Sequence, residues 1–219
     1  MFTKTFVKRI LMSMFGVPLG AASVGLFKLA AFGVDPFQAF MTGLDQLIHI
    51  EFGTLYVIVN VCLLLFALIF DRRYLGLATF INLFLVGYVV QFSYDTLLSF
   101  IPNPSMAVRC ASFVIGFVIL CFALSMYISA NLGVSTYDAI ALVMAEKWKI
   151  GQFKYIRICS DVICVAVGAG LFLLGGGAAA DLPAMIGLGT ILTAFFMGPL
   201  IDFFNRKVSI PFLERGKNT

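Results

Sequence analysis

Two stretches of this chain, one hundred residues apart, open alike, and each leads a set of three long apolar runs. Arg9 and Gly16 answer to Arg109 and Gly116, and Gly33-Val34-Asp35-Pro36-Phe37-Gln38-Ala39 answers to Gly133-Val134-Ser135-Thr136-Tyr137-Asp138-Ala139. Later in each half, Gly76-Leu77-Ala78-Thr79 with Gly87 and Gln91 lines up with Gly187-Leu188-Gly189-Thr190 with Gly198 and Asp202. The apolar runs cover about 10–32, 55–70 and 75–100, then 107–130, 156–175 and 184–204. A duplicated apolar unit of this kind is the sequence mark of a repeat built into a membrane, and its symmetry points to where a solute site can lie.

Composition fixes the solvent. At 61% apolar and 12% charged residues, with 24 Phe, the chain falls outside the range of soluble globular domains. Its 219 residues hold six spans of roughly 20 residues each with short connections, which leaves no room for a large catalytic domain. The start, with Lys4, Lys8 and Arg9 before an apolar run, imitates a secretory signal. The run from Ile10 to Phe32 is too long for a signal core, and its counterpart after Arg109 is also a long span.

Charge placement sets the expected orientation. With the N-terminus inside, thirteen of the 15 basic residues collect on the cytoplasmic face and only Lys28 and Arg109 on the other. Three spans per half, an odd number, make the second half enter from the opposite face. The expected fold is therefore an all-α polytopic membrane protein with six transmembrane helices as two inverted three-helix repeats. We read a single membrane domain over 1–219, with repeat 1 at about 7–100, repeat 2 at about 107–206 and a cytoplasmic tail at 207–219. Both termini are expected in the cytoplasm.

Two segments are too apolar for simple loops and too short to cross: 33–53 and 133–151. Each predicts a short re-entrant or interfacial helix. Asp35 is placed to cap the first, with Pro36 at its first position, and Ser135 to cap the second, with Asp138 three residues on. Gly33 and Gly133 would free the backbone from the preceding span.

At these residues the chain resembles the YczE/YyaS/YitT family of bacterial integral membrane proteins. The resemblance rests on the Gly-Val-x-Pro/Thr-aromatic-Asp/Gln-Ala element at 33–39 and 133–139 and on the run from Gly187 to Asp202. In the first half the late element is weaker, with Ala78 in place of Gly189 and Tyr88 in place of Pro199. It implies an inner-membrane protein of permease type, and it carries over no substrate and no site residue.

Ionisable residues inside apolar spans cost about 2.5–3.5 kcal/mol at a helix centre, so each one needs a reason. Asp161 ranks first, one turn after Arg157 and able to face it. An ion pair that orients the helix and a solute or proton site are both open for it. With the half-helix starts, the candidate substrate-binding set is Asp35, Pro36, Gln38, Ser135, Thr136, Tyr137, Asp138, Arg157, Asp161 and Asn60. A secondary set is Asn82, Gln91, Asp95 and Asp202. Asn60 and Asn82 are expected to bond across helices, and Asp202 to pair with Arg206 at a helix end. Lys28 is expected to snorkel to the surface. Because Asp35 and Asp138 offset the positive helix starts, the site suits a neutral, zwitterionic or cationic solute. Small residues at Gly16, Gly20, Gly25, Gly168 and Gly170 serve close helix packing, a homodimer, or both.

Other chemistries are excluded or unsupported. A lone His49 and the absence of a Ser-His-acid set argue against an enzyme, and no catalytic residue is assigned. The five cysteines lie in apolar runs without a Cys-x-x-Cys pair, so no metal site or cofactor is expected. Gly175-Gly176-Gly177 lacks the Lys-Ser/Thr of a phosphate loop, and no basic stripe suits nucleic acid. The partners expected are the lipid bilayer and a small-molecule solute. The leading function is a small-solute transporter. A substrate-binding membrane subunit of an ATPase-driven importer and a non-transporting scaffold or maturation factor are the alternatives.

Overall fold

A computed structural model describes residues 4–214. Its long helices are α1 (Lys4–Ala30), α3 (Phe52–Phe70), α4 (Leu77–Phe100), α5 (Met106–Ala130), α7 (Phe153–Leu174) and α9 (Leu188–Phe204). Shorter helices lie between and after them: α2 (Pro36–Ile48), α6 (Thr136–Leu142), α8 (Leu182–Met185) and α10 (Ile210–Glu214). The described residues contain no strand. Among the described residues, five helices are long and apolar enough to cross a membrane, and a sixth crossing requires 179–193 and 196–214 together, bent by 55°. Where six plain runs are expected, the last is broken. Pro199, which cannot donate to the carbonyl four residues back, lies just past the bend. A π-helical turn at Asn205–Ser209 leads into α10, and Lys8 Nζ reaches the Phe212 carbonyl at 3.3 Å. Residues 215–219 lie outside the described residues.

The bundle is organised around α1 and α5. A Cβ built on Gly16 would meet the Ala123 carbonyl at 2.9 Å and Met126 Cβ at 3.3 Å. One built on Gly116 would meet the Ser23 carbonyl at 3.2 Å and Leu26 Cβ at 3.0 Å. Further on, the Phe27 and Phe113 rings lie 5.2 Å apart. Residue numbers rise along one helix as they fall along the other, so α1 and α5 run antiparallel. Small side chains let them approach this closely, since lipid gives helices no hydrophobic reason to associate.

The polar-glycine elements tie each half to the other through matching hydrogen bonds. In one knot, Gly187 N–H donates to Thr190 Oγ1 (3.3 Å), which donates to the Val34 carbonyl (2.8 Å). In the other, Gly76 N–H donates to Thr79 Oγ1 (3.1 Å), which donates to the Val134 carbonyl (2.6 Å). Backbone bonds repeat the pattern: Gly189 N to Phe32 O and Val34 N to Met185 O, against Ala78 N to Leu132 O and Val134 N to Tyr74 O. Both threonines are buried, so each hydroxyl satisfies a helix-start donor and a loop carbonyl that water cannot reach. Gly33 and Gly133 adopt φ of +105° and +110°, which L side chains rarely take, and a Cβ on Gly33 would run into Gly187 and Thr190, one on Gly133 into Gly76 and Thr79.

The two short helices each bury one face in the bundle. Asp35 caps α2 by accepting from Gln38 N at 3.1 Å, with Pro36 in the first turn. Ser135 caps the second, accepting from Asp138 N (3.1 Å) and donating to Asp138 Oδ2 (2.7 Å). Gln38, Ala39, Met41 and Gly43 of α2 are buried, as are Thr136, Ala139 and Ala141 of α6. Gly43 and Gly168 let α2 cross α7 backbone to backbone. The halves differ in regularity: α2 is one helix, whereas α6 passes into a π-helical turn at Val143–Lys147.

Candidate functional site

The first turns of α2 and α6 face each other across a cavity of about 200 Å³. Its floor is the middle of α1 and α5, from Gly16 to Val24 and from Leu120 to Tyr127. The rings of Phe37 and Tyr137, equivalent positions of the two sequence elements, stack there with centroids 5.0 Å apart. Tyr56 of α3 sets its ring edge-on to Phe37 at 5.8 Å.

Most of the residues expected from sequence converge here. Asp35, Gln38, Ser135, Tyr137, Asp138, Arg157 and Asn60 line the cavity, as does Asn82 from the secondary set. Arg157 holds the charged side together. Its guanidinium lies 3.5 Å from Asp138 and 3.6 Å from Asp161, with its carbon 4.1 Å above the Tyr137 ring. Tyr137 OH donates to Asp161 Oδ1 at 2.9 Å and lies 3.4 Å from Cys164 Sγ. Asp161 thus acts from behind the wall, fixing the orientation of Arg157 and Tyr137. Thr136 points away from the cavity and donates to Asn60 Oδ1 at 2.5 Å, while Asn60 Nδ2 donates to the Tyr56 carbonyl at 2.8 Å. That is the cross-helix bond expected of Asn60. Pro36 starts its helix and does not line the cavity.

Polar atoms at this wall remain unmatched. Gln38 Oε1, Tyr127 OH and Arg157 Nη1 are buried without a hydrogen-bond partner. Asp35 has no Lys, Arg or His nitrogen within 4.0 Å among the described residues. Buried polar groups of native proteins are almost always paired, so an unpaired set around a cavity marks a place for an occupant.

A model of one family matches residues 7–206, nearly the whole chain, and its description is a family of unknown function, DUF6198. The chain belongs to this family. Among curated proteins, this DUF6198 member is 25% identical to the uncharacterized membrane protein YczE of Bacillus subtilis (strain 168) over 178 residues, 79% of this chain and 74% of that one. It is 23% identical to the uncharacterized protein YyaS of the same organism, over 92% of this chain and 94% of that one. An uncharacterized protein of Haemophilus influenzae matches at 22% identity over 90% of this chain and 83% of its own. No solved structure matches. Together with its apolar helices, these likenesses make the DUF6198 chain an all-α membrane protein.

The remaining secondary residues lie elsewhere. Gln91 Oε1 accepts from Gly53 N at 3.0 Å, joining α4 to the start of α3. With Asp95, it lines a second basin of about 390 Å³ that also holds Lys28, Asp45 and Glu51. Lys28 does not simply reach for the surface. Its ammonium sits 3.5 Å from the centroid of the Phe52 ring, because an aromatic face stabilises a cation where water is scarce. Asp202 pairs with Arg206 at 3.0 Å, one turn apart and both exposed, as expected, though the helical backbone runs on past them to Glu214 rather than ending there.

The sequence reading missed Phe37, Tyr56 and Tyr127 as wall residues. A signal for Tyr56 was present. Counting from Phe52 and Phe153, Tyr56 and Arg157 each lie four residues on, and Asn60 and Asp161 eight. Carrying the repeat into the middle helix would have paired Tyr56 with Arg157. Tyr127 has no such mark, since it sits in a continuous apolar run.

Proposed function

We propose that this protein is a permease for a small solute, bound between the first turns of α2 and α6. The observation that carries this reading is the central cavity, where charged and aromatic side chains from both sequence repeats meet beside unpaired buried polar atoms. A volume of about 200 Å³ suits a small metabolite rather than a drug-sized ligand, whose pockets run from about 300 Å³ upward. The two halves are read as inverted repeats with α2 and α6 re-entrant. The antiparallel α1–α5 contact and the matching knots support that reading. The basic-residue bias supports cytoplasmic termini, and the likeness to bacterial membrane proteins supports placement in a bacterial inner membrane. Transport would proceed by rocking one repeat against the other about the central site. The protein has no phosphate loop of its own, so concentrative transport would draw on an ion gradient or a partner ATPase.

The test is flux in proteoliposomes loaded with a panel of neutral, zwitterionic and cationic metabolites. Saturable uptake or efflux that is lost in Arg157→Ala is the expected result. Folded protein with no flux of any panel member would reject the reading.

A further inference from the structure

We infer that the central cavity binds a small organic ammonium ion, with the carboxylate of Asp35 as its counter-ion. This deepens the permease reading and rests on it for the passage of the solute, though not for its binding. Two carboxylates, Asp35 and Asp138, line the cavity, Asp161 stands behind its wall, and the guanidinium of Arg157 is the one cation in the lining. Arg157 makes its ion pairs with Asp138 and Asp161. Asp35 is held only by backbone N–H groups of its own helix start, Gln38 N at 3.1 Å and Phe37 N beside it, and by no cationic side chain within 4.0 Å among the described residues. An uncompensated carboxylate in an apolar wall is costly, and a bound cation removes the cost.

Of the unpaired atoms at the wall, Arg157 Nη1 faces the Asp161 carboxylate at 3.6 Å, and the other two share one polarity. Gln38 Oε1 is an acceptor, and the Tyr127 hydroxyl can accept. Both side chains are more than nine-tenths buried and both line the cavity. An N–H-rich group is what such a set lacks. The aromatic edges and faces of Phe37, Tyr56 and Tyr137 complete a lining that attracts cations with apolar substituents. A bare metal ion fits poorly. Much of the wall is Gly, Ala, Val and Leu, and among the described residues no group of three or more His, Cys, Asp or Glu is placed to hold a metal.

The approach has the same sign. The second basin sets Asp45, Glu51 and Asp95 against Lys28. It is separated from the cavity by one turn of α3, where the Phe52 and Tyr56 rings lie 6.3 Å apart. A basin with an excess of carboxylates concentrates cations at its mouth.

The experiment is calorimetric titration of the full chain in lipid nanodiscs with three probes of one shape: n-butylammonium, butyramide and butyrate, with sodium chloride as a fourth. n-Butylammonium should bind saturably and at least about tenfold more tightly than butyramide, since only it forms a charge-assisted bond. Butyrate should not bind. Asp35→Asn keeps a good helix cap and so the fold; it should reduce n-butylammonium to the affinity of butyramide, while Asp202→Asn changes nothing. Equal binding of the amide, preferred binding of butyrate, or displacement of the amine by sodium would each overturn the inference and leave the permease reading standing. Retention of amine selectivity in Asp35→Asn would overturn it as well. If n-butylammonium binds as expected and no solute crosses proteoliposomes, the permease reading fails and the inference stands.

Discussion

At the scale of single residues, the buried polar groups matter most, because lipid offers no water to replace a lost partner. Thr136 Oγ1 gives its proton to Asn60, and Asn60 in turn holds the Tyr56 carbonyl at the cavity wall. Thr136→Val keeps the shape and leaves the Asn60 oxygen without a donor. The loss should be about 1 kcal/mol, within the range of interhelical bonds in bilayers, read as a lowered thermal midpoint in detergent. The double variant Thr136→Val with Asn60→Leu should lose less than the sum of the two single changes. A titration belongs outside the spans. Asp71, just past α3, accepts from the Arg73 guanidinium and backbone N–H, which hold its carboxyl down to about 2. A folded value below the ordinary value of about 3.9 means the pair contributes from about pH 4 upward and is lost as pH falls through about 2. Arg73→Gln should return the Asp71 carboxyl toward its ordinary range in a carbon-detected NMR titration.

At the scale of elements, glycines decide where helices can cross. Between α2 and α7, a Cβ on Gly43 would lie 2.1 Å from the Gly168 carbonyl oxygen, and one on Gly168 would lie 2.9 Å from that of Ala39. The obstacle is backbone, which cannot rotate aside. Gly168→Ala should therefore cost about 1–3 kcal/mol by overpacking, whereas Gly170→Ala, with nothing within 4 Å, should leave the thermal midpoint unchanged. The sequence already told of these elements where punctuation is chemical. Asp35-Pro36 and Ser135 with Asp138 announce caps whose donors and acceptors are local. Two features escaped it. The π-helical turn after α6 and the 55° break in the last apolar segment depend on how neighbours pack, and neither changes hydrophobic pattern. Likewise Asp161 was singled out as an ionisable group in a span, but its place behind Arg157 and Tyr137 depends on how α7 is rotated against α6.

For the whole molecule, the two halves share a sequence pattern and do not share all their contacts. Arg109 closes the end of α1, donating to the Ala30 and Ala31 carbonyls at 2.7 and 3.0 Å, while Nε of its counterpart Arg9 is buried without a partner. In the first half α3 packs along α4, and a Cβ on Gly87 would meet Tyr56 Cβ at 2.5 Å. In the second, α7 makes no comparable contact with α9 among the described residues, and Gly198, the counterpart of Gly87, has nothing within 4 Å. Two repeats of like sequence in unlike packings are what a rocking mechanism requires: one joint shut, the other open, with the roles exchanged in the opposite state. On that reading Gly198 is free here and needed elsewhere. Gly198→Leu should leave the thermal midpoint of the purified protein near that of the parent chain, because no neighbour is displaced. The same change should abolish solute flux in proteoliposomes, because α7 could no longer close on α9. Full flux in Gly198→Leu would show that the open joint never shuts and would remove rocking as the route across the membrane.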